Sequence, residues 1–280
     1  MHSVSPPVAK GFFLETSNGK RFCLIHAIGE DKTCRGAILF APPFGEEMNK
    51  SRRMIAMQAR TLAQHGYVVL LMDLYGCGDS EGEFQNAHWQ QWKDDLGVAC
   101  SWLREHYDAP ISLLGLRLGA LLALDFMQDK CFPIYQVILW QPVLSGQQFL
   151  TQFFRLQLAY HMLAGNTGKN GGTQGIRQLL NKGETVEIAG YEMSSKLTTT
   201  IDALTMTDFL PENIPVHWIE IQHELTDELP PARQKMINFW KTHKVDLHLT
   251  QLRGAEFWAT QEISTSDELI ALTLNIVEQV

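Results

Sequence analysis

Apolar residues along this chain follow two periods, and the alternation between them lays out a fold. Continuous apolar runs at 37–40, 67–72 and 137–140 predict buried strands, because a strand covered on both faces loses its in-and-out alternation. Residues 216–221 and 245–251 predict two more, and 12–15 with 21–27 an entry hairpin turned by Ser17-Asn18-Gly19. Helical spacing separates these runs. It appears at 51–65, where Met54, Ile55, Met57 and Leu62 share a face and Gly66 is the stop. It recurs at 89–106 on Trp92, Leu96, Ala99, Trp102 and Leu103, at about 232–241, and in a closing helix over 266–280. Strand and helix alternating from Ala37 to Met127 imply a mostly parallel sheet with right-handed crossovers.

The stretch the rest is organised around is 111–119, Ile-Ser-Leu-Leu-Gly-Leu-Arg-Leu-Gly, which runs straight into the apolar segment 120–127. An apolar strand, a glycine-framed turn and a helix in that order describe the nucleophile elbow of an α/β-hydrolase, where G-x-S-x-G lifts a serine on a sharp tip. Gly115 and Gly119 keep the two places where strand and helix backbones pass closely, but the middle position is Arg117. The predicted fold is therefore α/β, an α/β-hydrolase with a parallel central sheet flanked by helices. The hydroxyl that would attack an acyl group is missing.

Composition changes between the strands at 137–140 and 216–221. Residues 147–210 hold an aromatic amphipathic stretch at 149–163, a glycine-rich hinge at 165–172, a helix near 173–181 and a threonine-rich run near Thr198. A structureless loop of that length is improbable in a compact protein. The expected organisation is a core over 1–146 and 211–280, with 147–210 inserted as a helical lid.

Charge and cysteine content narrow the class. A net charge of −8 argues against nucleic acid or an anionic membrane surface held by general electrostatics. The apolar run 111–127 is too short for a membrane span and is split by Arg117. Residues 1–10 carry no secretory pattern, and five cysteines without a C-x-x-C pair suit reduced thiols, so the expected compartment is the cytoplasm. His223-Glu224 lacks the second histidine of a zinc helix, and Gly168-Lys169 lacks the frame of a phosphate loop, so neither a metal nor a cofactor is expected.

The triad positions can then be tested one by one. In this fold the acid follows the strand at 216–221, which makes Asp227 the best-placed candidate, with Glu224 and Glu228 as neighbours. The base follows the strand at 245–251, and there Glu256 stands where histidine is usual, while His243 and His248 fall before and inside that strand. Arginine for nucleophile and glutamate for base are complementary, so a buried Arg117–Glu256 ion pair is expected, with Glu46 and Glu47 as further partners for the guanidinium. An arginine at a helix N-terminus also suits a carboxylate or phosphate, which makes Phe44, Gly45, Glu46, Arg117 and Leu118 the candidate ligand-binding set. The alternative is an active hydrolase of an ester, thioester or glycan substituent, with Cys77, Asp227 or Glu256 serving a non-standard nucleophile or an activated water.

Several runs carry a more specific likeness: 42–53 (Pro42-Pro43-Phe44-Gly45-Glu46-Glu47 to Arg53), Asp73 to Gly82, Gly115 to Ala120, Trp140-Gln141-Pro142-Val143-Leu144-Ser145-Gly146, and Phe257-Trp258 with Gln261-Glu262-Ile263. Over nearly its whole length the chain resembles the type 2 hydrolases associated with the bacterial exosortase A system. That resemblance implies a role beside exopolysaccharide biosynthesis and the sorting of proteins with a C-terminal Pro-Glu-Pro signal, with components of those systems as partners. It does not settle chemistry, since fold alone never does.

Overall fold

The structure, a computed structural model, describes residues 8–27, 34–163, 172–224 and 228–279, with the backbone alone for 156–163. Strands β1 (Val8–Thr16) and β2 (Gly19–Ala27) form the entry hairpin, longer at both ends than the apolar pattern suggests. Then come β3 (Gly36–Ala41), α1 (Glu46–Gln64), β4 (Tyr67–Met72), α2 (Trp89–His106), β5 (Ile111–Leu116), α3 (Leu118–Gln128) and β6 (Ile134–Trp140). The chain leaves the sheet through α4 (Gly146–Leu163), α5 (Gly172–Asn181), the small hairpin β7 (Val186–Ile188) and β8 (Tyr191–Met193), and α6 (Ser195–Ala203). It returns as β9 (Val216–Gln222), α7 (Pro231–Thr242), β10 (Leu247–Arg253) and α8 (Asp267–Glu278).

Eight strands make one sheet in the order β1-β2-β4-β3-β5-β6-β9-β10, parallel from β4 onwards and antiparallel at the β1-β2-β4 edge. This is the α/β-hydrolase fold. Both faces are covered, and successive strand residues sort between them: Ala37, Leu39 and Ala41 pack on one side, Ile38 and Phe40 on the other. The first side carries α2, α3 and α7, while α1 and α8 cover the second. Two tryptophans fully buried in the strands spend their one donor: Trp140 on Thr273 of α8 at 3.1 Å, Trp218 on Glu220 at 2.9 Å.

Three departures from the periodicity have physical causes. Helix α1 begins at Glu46 rather than 51, because Glu46 and Glu47 in its first turn complement the helix dipole and need no apolar spacing. The last sheet strand runs Leu247–Arg253, two residues later than the apolar pattern places it, since as an edge strand it is only partly covered. The β7–β8 hairpin and α6 carry no strong signal; three-residue strands and a helix rich in threonine are held by neighbours, not by propensity.

The excursion between β6 and β9 starts and ends at one place. Gly146 N–H donates to Leu204 O at 3.0 Å and Met206 N–H to Leu144 O at 2.9 Å. A Cβ on Gly146 would sit 1.8 Å from Ile201 O, so only glycine lets α4 leave against α6.

The tightest approach in the sheet is at the start of α3, where a Cβ on Gly119 would lie 2.2 Å from the Ala41 carbonyl oxygen. Backbone cannot yield as a side chain can, so Gly119→Ala should cost at least about 3 kcal/mol in urea unfolding. Gly97 inside α2 has its nearest neighbour at 3.7 Å, and Gly97→Ala should instead gain about 0.5–1 kcal/mol.

Candidate functional site

The site is built at the β5–α3 elbow. Arg117 stands between strand and helix at φ 56° and ψ −116°, a conformation that L-residues hold only when the surroundings impose it. Its N–H donates to Trp140 O at 3.0 Å, and its carbonyl accepts from Ala120 N at 3.1 Å and Val143 N at 3.2 Å. Gly115 lets α3 fold back, since a Cβ there would be 2.6 Å from the Ala120 Cα. The tip thus keeps the geometry of a nucleophile elbow and presents a guanidinium from it.

That guanidinium does not meet Glu256. Among the described residues its only carboxylate partner within 4.0 Å is Glu47, with Arg117 Nε to Glu47 Oε1 at 3.1 Å. The expected Arg117–Glu256 pair is thereby corrected, and the reason is where the elements begin: the first turn of α1 lies directly over the elbow. The loop after β10 sends Trp258 towards the arginine instead, with the guanidinium carbon 5.5 Å from the ring centroid. Glu256 caps a turn with its backbone carbonyl, accepting from Ala259 N at 2.7 Å and Thr260 N at 3.0 Å. Its charge still reaches the site, since it helps to raise the Glu47 carboxyl above its usual range. Burial is the largest cause of that rise, opposed by Arg117.

A pocket of about 140 Å³ opens beside this pair, lined by Phe44, Glu46, Glu47, Arg117, Phe149, Gln152 and Phe153. Phe44, from the loop after β3, is held edge-on by Phe149 and Phe153 of α4 at 5.7 and 5.1 Å. Gly45 takes φ 57° to start α1 against Tyr191 and Phe153. Glu46 lies exposed, its Oε2 accepting from Asn49 Nδ2 at 3.0 Å, so it lines the pocket without pairing to Arg117. Leu118 is buried behind Phe44 and lines a much smaller apolar cleft with Pro43, Met48 and Leu122.

The remaining triad candidates separate clearly. Asp227 lies outside the described residues, and Glu224 is exposed. His243 sits on the surface against Phe239, and His248 stacks on His217 with ring centroids 4.8 Å apart. Burial together with Asp73 and Asp95 pushes the Cys77 thiol up to about 12, which favours the thiol over the thiolate at neutral pH. Among the described residues, no histidine lines the pocket.

Behind the elbow lies a charge network that the apolar pattern concealed. Glu220, inside the buried strand β9 and 2% exposed, forms an ion pair with Arg233, Nε to Oε1 at 2.9 Å, and accepts from Gln141 Nε2 at 3.1 Å and Trp218 Nε1 at 2.9 Å. Arg233 of α7 also donates to Pro142 O at 2.6 Å. A lone glutamate within a buried strand was the available signal, since such a charge requires a partner.

Among curated proteins, no sequence matches the chain. The family model described as Hydrolase_4, serine aminopeptidase S33, matches residues 32–170, the portion that includes the elbow, α1 and α2. Among solved structures, Est1E from Butyrivibrio proteoclasticus with ferulic acid bound superposes at a TM-score of 0.64 with 16% identity over 96% of each chain. A highly thermostable carboxyl esterase from Bacillus coagulans gives 0.64 with 13% identity, covering 98% of this chain and 99% of that one. Proline iminopeptidase from Mycobacterium smegmatis gives 0.61 with 15% identity over 96% and 98%. At these identities the likeness is one of fold.

Two measurements test the site. Glu47→Ala, which leaves a partly buried guanidinium unpaired, should cost about 1–3 kcal/mol in urea unfolding, whereas Glu256→Ala should cost under about 1 kcal/mol. His217 is neutral in the fold, burial and His248 pulling it from 6.5 to about 4. Between those values the unfolded chain binds a proton that the folded chain does not, so stability falls as pH drops from 6.5 towards 4, by about 2–3 kcal/mol. His217→Phe should flatten that slope in a series of melts across the same window.

Proposed function

We propose that this chain, which has the α/β-hydrolase fold, binds a small carboxylate-bearing ligand in its pocket and performs no acyl-enzyme chemistry. The observation that carries this is the arginine at the elbow tip, with Nε committed to Glu47 and both Nη groups without a protein partner among the described residues. The free end of a guanidinium accepts a carboxylate through two parallel hydrogen bonds. A phosphate dianion suits the site less well, because Glu46 and Glu47 share the lining with one guanidinium.

Residues 147–210 act in this proposal as a lid, since Phe149 and Phe153 of α4 line the same pocket as Arg117. The resemblance to exosortase A-associated hydrolases supports a cytoplasmic accessory role beside exopolysaccharide biosynthesis or protein sorting, the ligand being a building block or signal there. No helix among the described residues is long and apolar enough to cross a membrane. The acyl-transfer route typical of the α/β-hydrolase fold places a nucleophile at the elbow. This chain offers a cation at that point.

Purified protein should resist labelling by a fluorophosphonate and should not turn over a panel of short-chain esters and thioesters above background. Short carboxylates should raise its melting temperature by roughly 5 °C at a hundredfold excess over Kd, and Arg117→Met should abolish that shift. Ester turnover that is lost in Arg117→Ala would instead mark an enzyme.

A further inference from the structure

We infer that the ligand of this pocket is a zwitterion, a free α-amino acid with a medium-sized apolar side chain, held by Arg117 through its carboxylate and by Glu47 through its ammonium group. The inference rests on the proposal that Arg117 takes a carboxylate, and it goes further by naming what the rest of the ligand must carry.

The charges around the pocket suit a zwitterion better than a simple anion. One guanidinium faces two lining carboxylates, Glu46 and Glu47, while beyond the lining Glu256 and Lys50 act on Glu47 with opposite signs. Arg233, the next cation behind the elbow, is already paired with Glu220 at 2.9 Å. An anion alone would meet more negative than positive charge, and a ligand that brings its own cation removes the conflict.

Unspent hydrogen-bonding atoms point the same way. Glu47 gives Oε1 to Arg117, but its Oε2 is enclosed and has no partner, which a carboxylate oxygen in a native site rarely tolerates. Arg117 keeps its Nη groups. These free valences belong to two side chains bonded at 3.1 Å, so the ligand groups that satisfy them must also be neighbours. An ammonium and a carboxylate on one carbon meet that requirement. Reaching Oε2 takes a rotation of the Glu47 carboxyl about its terminal bond, a broad and inexpensive torsion.

The remainder of the pocket specifies the side chain. Phe44, Phe149 and Phe153 form an aromatic wall in a pocket of about 140 Å³, which suits an apolar side chain. A ring face presented to the ammonium adds a favourable cation–π contact.

Calorimetry with L-leucine and L-phenylalanine, against 4-methylpentanoate, 3-phenylpropanoate and 3-methylbutylamine, tests this directly. At least one amino acid should bind tenfold or more tightly than its own desamino acid, and leucine tenfold more tightly than the amine. Glu47→Gln should weaken the amino acid at least tenfold and leave the desamino acid unchanged or tighter, while Arg117→Met should remove both. Desamino acids that bind wild-type protein as tightly as the amino acids would overturn the zwitterion and leave the carboxylate proposal standing. Binding of neither class to protein shown folded by near-UV circular dichroism would overturn both.

Discussion

Everything about the site depends on a steric constraint, the passage of Gly119 against the backbone of Ala41. Because no side chain fits there, α3 can start close under the end of β3, and the residue before it is driven to positive φ. That conformation is held by hydrogen bonds to the end of β6 and to the loop beyond it, so the tip is rigid before any ligand arrives. Rigid placement on the ends of strands and helices makes a binding group accurate to fractions of an ångström. In this chain the accuracy is spent on a cation.

A guanidinium on that tip needs support that a serine would not. Glu47 balances its charge, Trp258 covers one face, and the first turn of α1 brings both the carboxylate and Phe44 to the same spot. A second pair, Arg233 with Glu220, lies behind the elbow and ties α7 to β9 and to the backbone after β6. The two pairs sense one another, as Arg117 helps to stabilise the Glu220 carboxylate that burial pushes upward. Replacing one member therefore changes the field at the others, and effects at these positions are not expected to add.

Much of this was legible in the residues. The apolar runs placed every strand from β3 to β10 that belongs to the main sheet to within a few residues, because buried strands have nowhere to put polar side chains. The helix at Trp89–His106 matched its periodicity at both ends. Gly115-Leu116-Arg117-Leu118-Gly119 announced the elbow, since the two glycines answer to backbone contacts that no other residue permits. What the residues could not convey was distance. Glu256 and Glu47 were both plausible partners for Arg117, and only the start of α1 over the elbow decides between them. The Arg233–Glu220 pair spans two elements that the periodicity shows to be near in sequence but not to face one another. Phe149 and Phe153 read as part of an aromatic amphipathic stretch, and only the structure brings them into one pocket with Arg117.

The hydrogen-bonded neck at Gly146 and Leu204 has a consequence for how such proteins diversify. Since the excursion leaves and rejoins the sheet at adjoining points, it is joined to the scaffold like a cartridge. Its interior can be lengthened, shortened or exchanged between relatives without shifting the register of β6 against β9, and extra length costs little in loop entropy. Specificity can therefore be rewritten in one segment while the elbow beneath it stays as it is.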